Sequence, residues 1–185
     1  HKLIGARFYN AGYGGDAGVL EVLPYEFVSP RDYDGHGTHT ASTAGGNANV
    51  AATGRAAAFG AISGIAPRAR IAAYKVCWGI GGTANAGCFP SDSVAAIDQA
   101  IADGVDVINF SISGSRTNFL DPVEVAFLRA ADAGVFVAAS AGNSGATIGA
   151  SSVAHPSPWI TTVAAGTHNR DGSGSVTLGN GATLL

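Results

Sequence analysis

Between residues 69 and 165 the chain alternates short apolar runs with stretches of helical periodicity, and no other feature restricts its fold as strongly. Residues 69–76 (Ala-Arg-Ile-Ala-Ala-Tyr-Lys-Val) read as a strand apolar enough to be buried on both faces. Ser91-Asp92 opens a helix on which Val94, Ile97 and Ile101 recur at helical spacing, and Gly104 ends it. Residues 105–111 form the next strand. Asp121-Pro122, with Glu124 three residues after the aspartate, predicts a capping box and a proline at the first helical position. That helix runs to Gly134, a third strand covers 135–139, and a fourth covers 159–165. Strands alternating with helices imply right-handed crossovers, hence an α/β fold with a doubly wound, mostly parallel sheet. Ligands of such sheets bind beyond the carboxyl ends of the strands, where Ser111–Gly114 and Ser140–Asn143 fall. Residues 45–64 are expected to be a loop or insertion. The tail, 167–185, reads as polar turns and one short hairpin at Asn180-Gly181. Such a tail is not the natural end of a doubly wound domain, so the domain is expected to be incomplete.

A length of 185 residues suits one domain. Charged residues make up only 12% and the net charge is −3, which argues against nucleic-acid or anionic-membrane partners. No apolar run approaches the ~18 residues of a membrane-spanning helix. The chain starts at His1 and contains no methionine, so its first residue is not expected to be the start of a primary translation product. Cys77 and Cys88 flank the Gly-rich stretch 78–87; a disulfide closing that loop is the favoured reading and implies an oxidising compartment. Two buried free thiols are the alternative. A zinc site is disfavoured because the spacing is not C-x-x-C.

Two short stretches carry chemistry. Asp34-Gly35-His36-Gly37-Thr38-His39-Thr40-Ala41-Ser42 places His36, between two glycines, at the start of a small-residue helix, where an imidazole is a candidate general base. Ala141-Gly142-Asn143-Ser144-Gly145 places an amide on a turn after an apolar strand, able to donate to an oxyanion. Each alone is more simply a helix cap and a turn residue. His36 and His39 form H-x-x-H, but metalloprotease helices space their histidines at i, i+4 around a glutamate, so His39 reads as a structural, hydrogen-bonded residue.

Together these blocks strongly resemble the subtilisin-like serine peptidases, the subtilases. The run around His36 is similar to that family's histidine motif. Gly64-Ile65-Ala66-Pro67 and the strand into Lys75-Val76 resemble its next block, and Asp103 to Ser111 the block leading to its substrate-binding strand. Ala139-Ser140-Ala141-Gly142-Asn143-Ser144-Gly145 resembles its oxyanion block, and all four stand in family order. Lys2-Leu3-Ile4-Gly5-Ala6-Arg7 and Tyr74-Lys75-Val76-Cys77-Trp78 further resemble the cucumisin-like branch. The resemblance implies His36 as general base and Asn143 as oxyanion donor. It also implies Ser111, Ile112, Ser113 and Gly114 as a strand pairing with extended substrate, and Ser140, Ala141 and Gly142 as the lining of the primary specificity pocket. Ser113 stands where the family usually has glycine. Asn109-Phe110-Ser111 matches a glycosylation sequon, which a central strand presents poorly.

The family's orienting aspartate and nucleophilic serine have no convincing counterpart here. Asp16-Ala17-Gly18 follows no apolar strand, and Gly172-Ser173-Gly174-Ser175 is not followed by a helix-forming run. The expectation is therefore one partial peptidase domain: an N-terminal segment 1–35, core βα units over 36–166, and a lead-in to an insertion over 167–185. It would belong to a secreted serine endopeptidase, inert alone and needing its flanking segments. Its partners would be an extended peptide or protein substrate, with no cofactor and no metal. The competing readings are a non-catalytic peptide-binding module on the same fold and a nucleotide-binding α/β domain. The last is disfavoured because no G-x-G-x-x-G or P-loop opens a helix.

Overall fold

The computed structural model describes residues 2–167, 169 and 174–184; Ser173 lies outside them. In chain order the first elements are β1 (Leu3–Phe8), α1 (Gly15–Val22), α2 (His36–Gly45), β2 (Val50–Ala51), β3 (Ala61–Ile62), β4 (Ile71–Lys75), β5 (Cys77–Trp78) and β6 (Gly87–Cys88). There follow α3 (Pro90–Ala102), β7 (Val107–Phe110), α4 (Pro122–Asp132), β8 (Phe136–Ser140), α5 (Gly145–Ile148), β9 (Thr161–Val163), β10 (Val176–Thr177) and β11 (Thr183–Leu184).

The α/β architecture with parallel strands is present, and Gly104 and Gly134 follow their helices with φ of 74° and 84°. β7, β8 and β9 form one parallel sheet in that order, paired from Val107↔Phe136 to Phe110↔Ala139 and from Ala138↔Thr161 to Ser140↔Val163. The difference from a single sheet is that β4 does not join it. β4 pairs in parallel with β1, from Leu3↔Ile71 to Phe8↔Lys75. Among the described residues the second edge of β4 and the outer edge of β7 carry no strand.

The main core lies where α3 and α4 pack on this three-stranded sheet. Ile97 of α3, Phe110 of β7, Val123, Ala126, Phe127 and Ala130 of α4, and Val137 and Ala139 of β8 form one buried cluster, with Val94 and Ile101 packed against it. The helical spacing of Val94, Ile97 and Ile101 therefore does mark the inward face of α3. That helix begins one residue earlier than Ser91-Asp92, at Pro90. Asp92 is not a cap: it is buried, and its carboxylate accepts the Gly12 N–H at 3.2 and 3.3 Å.

A smaller cluster joins Val19, Leu23 and Trp78, with Phe8, Tyr13 and Val28 around it. Here α1 lies too close to the preceding turn for any side chain at Gly18, whose Cβ would fall 1.7 Å from the Tyr13 carbonyl oxygen. Asp103 then fastens β1 and β4 to the end of α3. It accepts from Arg7 Nε (2.9 Å) and Nη2 (3.0 Å), Tyr74 Oη (2.8 Å) and Gln99 Nε2 (2.9 Å). The Arg7 and Tyr74 hydrogen bonds hold its carboxyl down to about 2, while burial and Asp103 push Tyr74 up to about 12.

Residues 45–64, expected as loop, contain the hairpin β2–β3, Val50↔Ile62 and Ala51↔Ala61, spanned by a 3₁₀ segment over Gly54–Phe59. Two-residue strands in an Ala/Gly run leave no alternation to read. The expected hairpin of the tail is β10–β11, with the Gly181 N–H donating to the Leu178 carbonyl at 2.8 Å.

Cys77 and Cys88 are disulfide-bonded and pair across β5–β6. A closed loop of this size restricts the unfolded chain by roughly 2–3 kcal/mol. The Cys77→Ser/Cys88→Ser double variant of the polypeptide carrying this segment is expected to lose about that much stability. Denaturant unfolding measures it, and a midpoint equal to wild type would show that the bridge constrains nothing.

Candidate active site

The segment that leads into helix α2 is held by the end of β4. Lys75 Nζ donates to Glu26 Oε1 (2.8 Å) and to the carbonyls of Arg31 (2.8 Å) and Phe27 (3.4 Å), and it sits 4.2 Å over the Trp78 ring. Glu26, with a side chain 1% exposed, uses its other oxygen to accept the Gly79 N–H at 2.8 Å. The segment leading to α2 is thereby pinned at the carboxyl end of a parallel strand.

Asp32 then sets the first turn. One carboxylate oxygen accepts the Gly35 N–H at 2.8 Å, and the other accepts the Thr38 N–H and hydroxyl, both at 2.7 Å. Burial raises the Asp32 pKa, but the Thr38 and Gly35 donors outweigh it and leave the carboxyl below its ordinary value. Gly35 has φ of 95°, a left-handed turn that suits glycine. Asp34 accepts the His36 N–H at 3.3 Å and, across the molecule, the Gly81 N–H at 2.9 Å. The disulfide-closed loop therefore abuts the residue two before His36.

His36 occupies the first position of α2 with its side chain exposed, and neither ring nitrogen is hydrogen-bonded among the described residues. His39, expected to be a hydrogen-bonded structural residue, is also exposed, and its ring has no hydrogen bond among the described residues. It lies on the open side of a helix that buries only Gly45, and its carbonyl accepts the Ser42 and Thr43 hydroxyls. Asp16 lies in the first turn of α1, not on a strand, and accepts from Asn10 Nδ2 at 2.8 Å.

The second half of the site is built at the carboxyl ends of β7 and β8. Pairing stops at Phe110↔Ala139, after which 111–114 and 141–143 leave the sheet side by side. Gly142 has φ of 80°, and a Cβ there would lie 3.1 Å from Ser113 Oγ, so the two segments meet at this point. Ala141 is fixed by its N–H to the Val163 carbonyl (2.9 Å) and by its carbonyl to the Ala154 N–H (3.0 Å). Ser111 Oγ accepts from Asn109 Nδ2 at 3.1 Å. Ser140, Ala141 and Gly142 are partly buried, whereas Asn143 is exposed and its amide has no hydrogen bond among the described residues. The structure thus brings Ser111–Gly114 together with Ser140–Asn143. No hydrogen bond joins them to the His36 turn among the described residues.

Beneath 111–114 lies a buried polar group that sequence reading did not identify. Asp121 caps α4 as expected, accepting the Val123 N–H at 3.0 Å, but Glu124 does not close a capping box. It is fully buried, with Oε1 2.5 Å from His155 Nδ1 and Oε2 accepting the Ser157 hydroxyl. The buried histidine is a better partner for the carboxylate than the Asp121 N–H, which turns to the Asn118 carbonyl at 3.3 Å.

The subtilase family model matches residues 24–180, most of the chain. The chain belongs to the subtilase family. Two Arabidopsis thaliana subtilases are similar along nearly its whole length. Subtilisin-like protease SBT1.5 is 49% identical over 184 residues, covering 99% of this chain and 23% of the relative. Subtilisin-like protease SBT1.7 is 48% identical over 181 residues, covering 97% and 23%. The chain thus spans about a quarter of the length of these relatives. Among solved structures, the S41 Psychrophilic Protease matches with a TM-score of 0.51 and 33% identity, over 72% of this chain and 39% of that one.

Proposed function

We propose that this chain supplies the general base, the oxyanion donor and the substrate cleft of a secreted subtilisin-like serine endopeptidase of the cucumisin-like kind. The observation that carries this reading is the meeting of Ser113 and Gly142 at adjacent strand ends, next to an exposed amide on Asn143 that nothing in the described structure occupies. In this mechanism an extended peptide lies along Ser111–Gly114, with its backbone paired to theirs. Ser140, Ala141 and Gly142 back the side chain preceding the scissile bond. His36 takes the proton of a serine hydroxyl supplied by a flanking segment and later gives it to the departing amine. Asn143 donates to the oxyanion as the carbonyl carbon becomes tetrahedral. The unpaired edges of β4 and β7 fit flanking segments that add strands and bring the serine and an aspartate to the site. The disulfide suits an oxidising, extracellular setting, and no helix among the described residues is long and apolar enough to cross a membrane.

The test uses the full-length polypeptide carrying this segment. A fluorophosphonate is expected to label a serine outside residues 1–185. Asn143→Ala is expected to lower kcat on a fluorogenic peptide by about 10²–10³ with KM little changed, the magnitude being that known for the oxyanion asparagine of subtilisin itself. Peptide binding without labelling would overturn the reading in favour of a non-catalytic peptide-binding module.

A further inference from the structure

The imidazole of His155 is fully buried and touches the 110–115 segment along its length. Its Nε2 lies 2.8 Å from the Ile112 carbonyl oxygen. Its ring meets Phe110 edge-on at 5.5 Å, and it lies so close to Gly114 that a Cβ there would fall 2.1 Å from His155 Cε1. Its backbone N–H donates to the Ser115 carbonyl at 2.9 Å. A carbonyl only accepts, so Nε2 must carry a proton. The other nitrogen faces Glu124, whose second oxygen is taken by Ser157 and whose own carbonyl accepts from Trp159 Nε1 at 2.9 Å. Among the described residues no buried side-chain polar atom lacks a partner.

This is a costly arrangement for mere packing. A buried carboxylate–imidazole pair contributes little net stability compared with apolar residues of the same volume, whereas its hydrogen bonds are directional. Here the direction fixed is that of the Ile112 peptide. We propose that Glu124, through His155, is a positioning unit that sets the backbone of 111–114 for pairing with extended substrate. The unit rests on the reading of that segment as the substrate strand. Glu124 locks the ring, the ring holds the Ile112 carbonyl and supports Gly114, and neither side chain touches substrate.

The unit predicts a dependence on substrate length. His155→Asn keeps an amide facing Glu124 but is too short to reach Ile112, whereas His155→Gln can still donate to that carbonyl. Both variants are made in the full-length polypeptide, with active sites counted by fluorophosphonate titration so that misfolded protein does not enter the rates. For a hexapeptide substrate, His155→Asn is expected to raise KM about tenfold, the effect of one lost hydrogen bond. For a single-residue ester, which does not extend along 111–114, the rise is expected to be no more than about twofold. His155→Gln is expected to recover most of the hexapeptide KM. Equal changes for long and short substrates, or no recovery by His155→Gln, would overturn the unit while leaving the protease reading standing. Absence of titratable sites in wild type would instead remove the protease reading, and the positioning unit with it.

Discussion

Replacing His36 with alanine is expected to reduce kcat of the full-length polypeptide by about 10⁶, the size of loss measured when the catalytic histidine of subtilisin itself is removed. The residue has the exposure such a role needs, because α2 presents it at its first position with both ring nitrogens unoccupied among the described residues. The turn beneath it is held independently by Asp32, which grips Gly35 and Thr38 through backbone and hydroxyl donors. Losing the imidazole should therefore leave the helix start intact, and the deficit should appear in kcat with folding unchanged by circular dichroism. Turnover within tenfold of wild type would show that another group takes the proton.

The largest effect on stability is expected at Phe127. Its side chain is fully buried, packs edge-on to Phe110 with ring centroids 5.0 Å apart, and borders His155 at 6.1 Å. Phe127→Ala removes most of that contact and leaves a cavity between α4 and β7, a loss of about 3–5 kcal/mol. Its neighbour Leu128 is 43% exposed, and Leu128→Ala should cost about 1 kcal/mol or less. Denaturant midpoints of the two variants provide the comparison. A similar shift for both would show that the core does not centre on Phe127. Because Phe127 supports Phe110 and the His155 ring, the cleft floor should loosen with it.

How far the sequence discloses this structure depends on how local each interaction is. The helices α3 and α4 and the strands β7 and β8 are legible because their periodicity and terminal glycines act over a few residues. β1 is not legible as a strand, since its partner β4 lies more than sixty residues away and only pairing gives it form. Asp32 escapes notice because it caps from outside the helix, through the turn at Gly35. Glu124 is the clearest case: Asp-Pro-Val-Glu is locally indistinguishable from a capping box, and only His155, thirty-one residues on, turns the carboxylate inward. Ser113 and Gly142 were legible as strand ends, but their close approach follows from the Phe110↔Ala139 register.

The bare edges of β4 and β7 have a further bearing on how such a chain behaves when it is separated from its neighbours in sequence. Unpaired N–H and C=O groups on a strand edge are a template for any extended chain, not only for the intended one. Val107 at 58% and Phe136 at 54% exposure place apolar surface beside that edge. On the proposed reading a flanking strand fills these edges, and the same groups would drive separated copies to stack through intermolecular sheet. The same unfilled edge thus links assembly to aggregation.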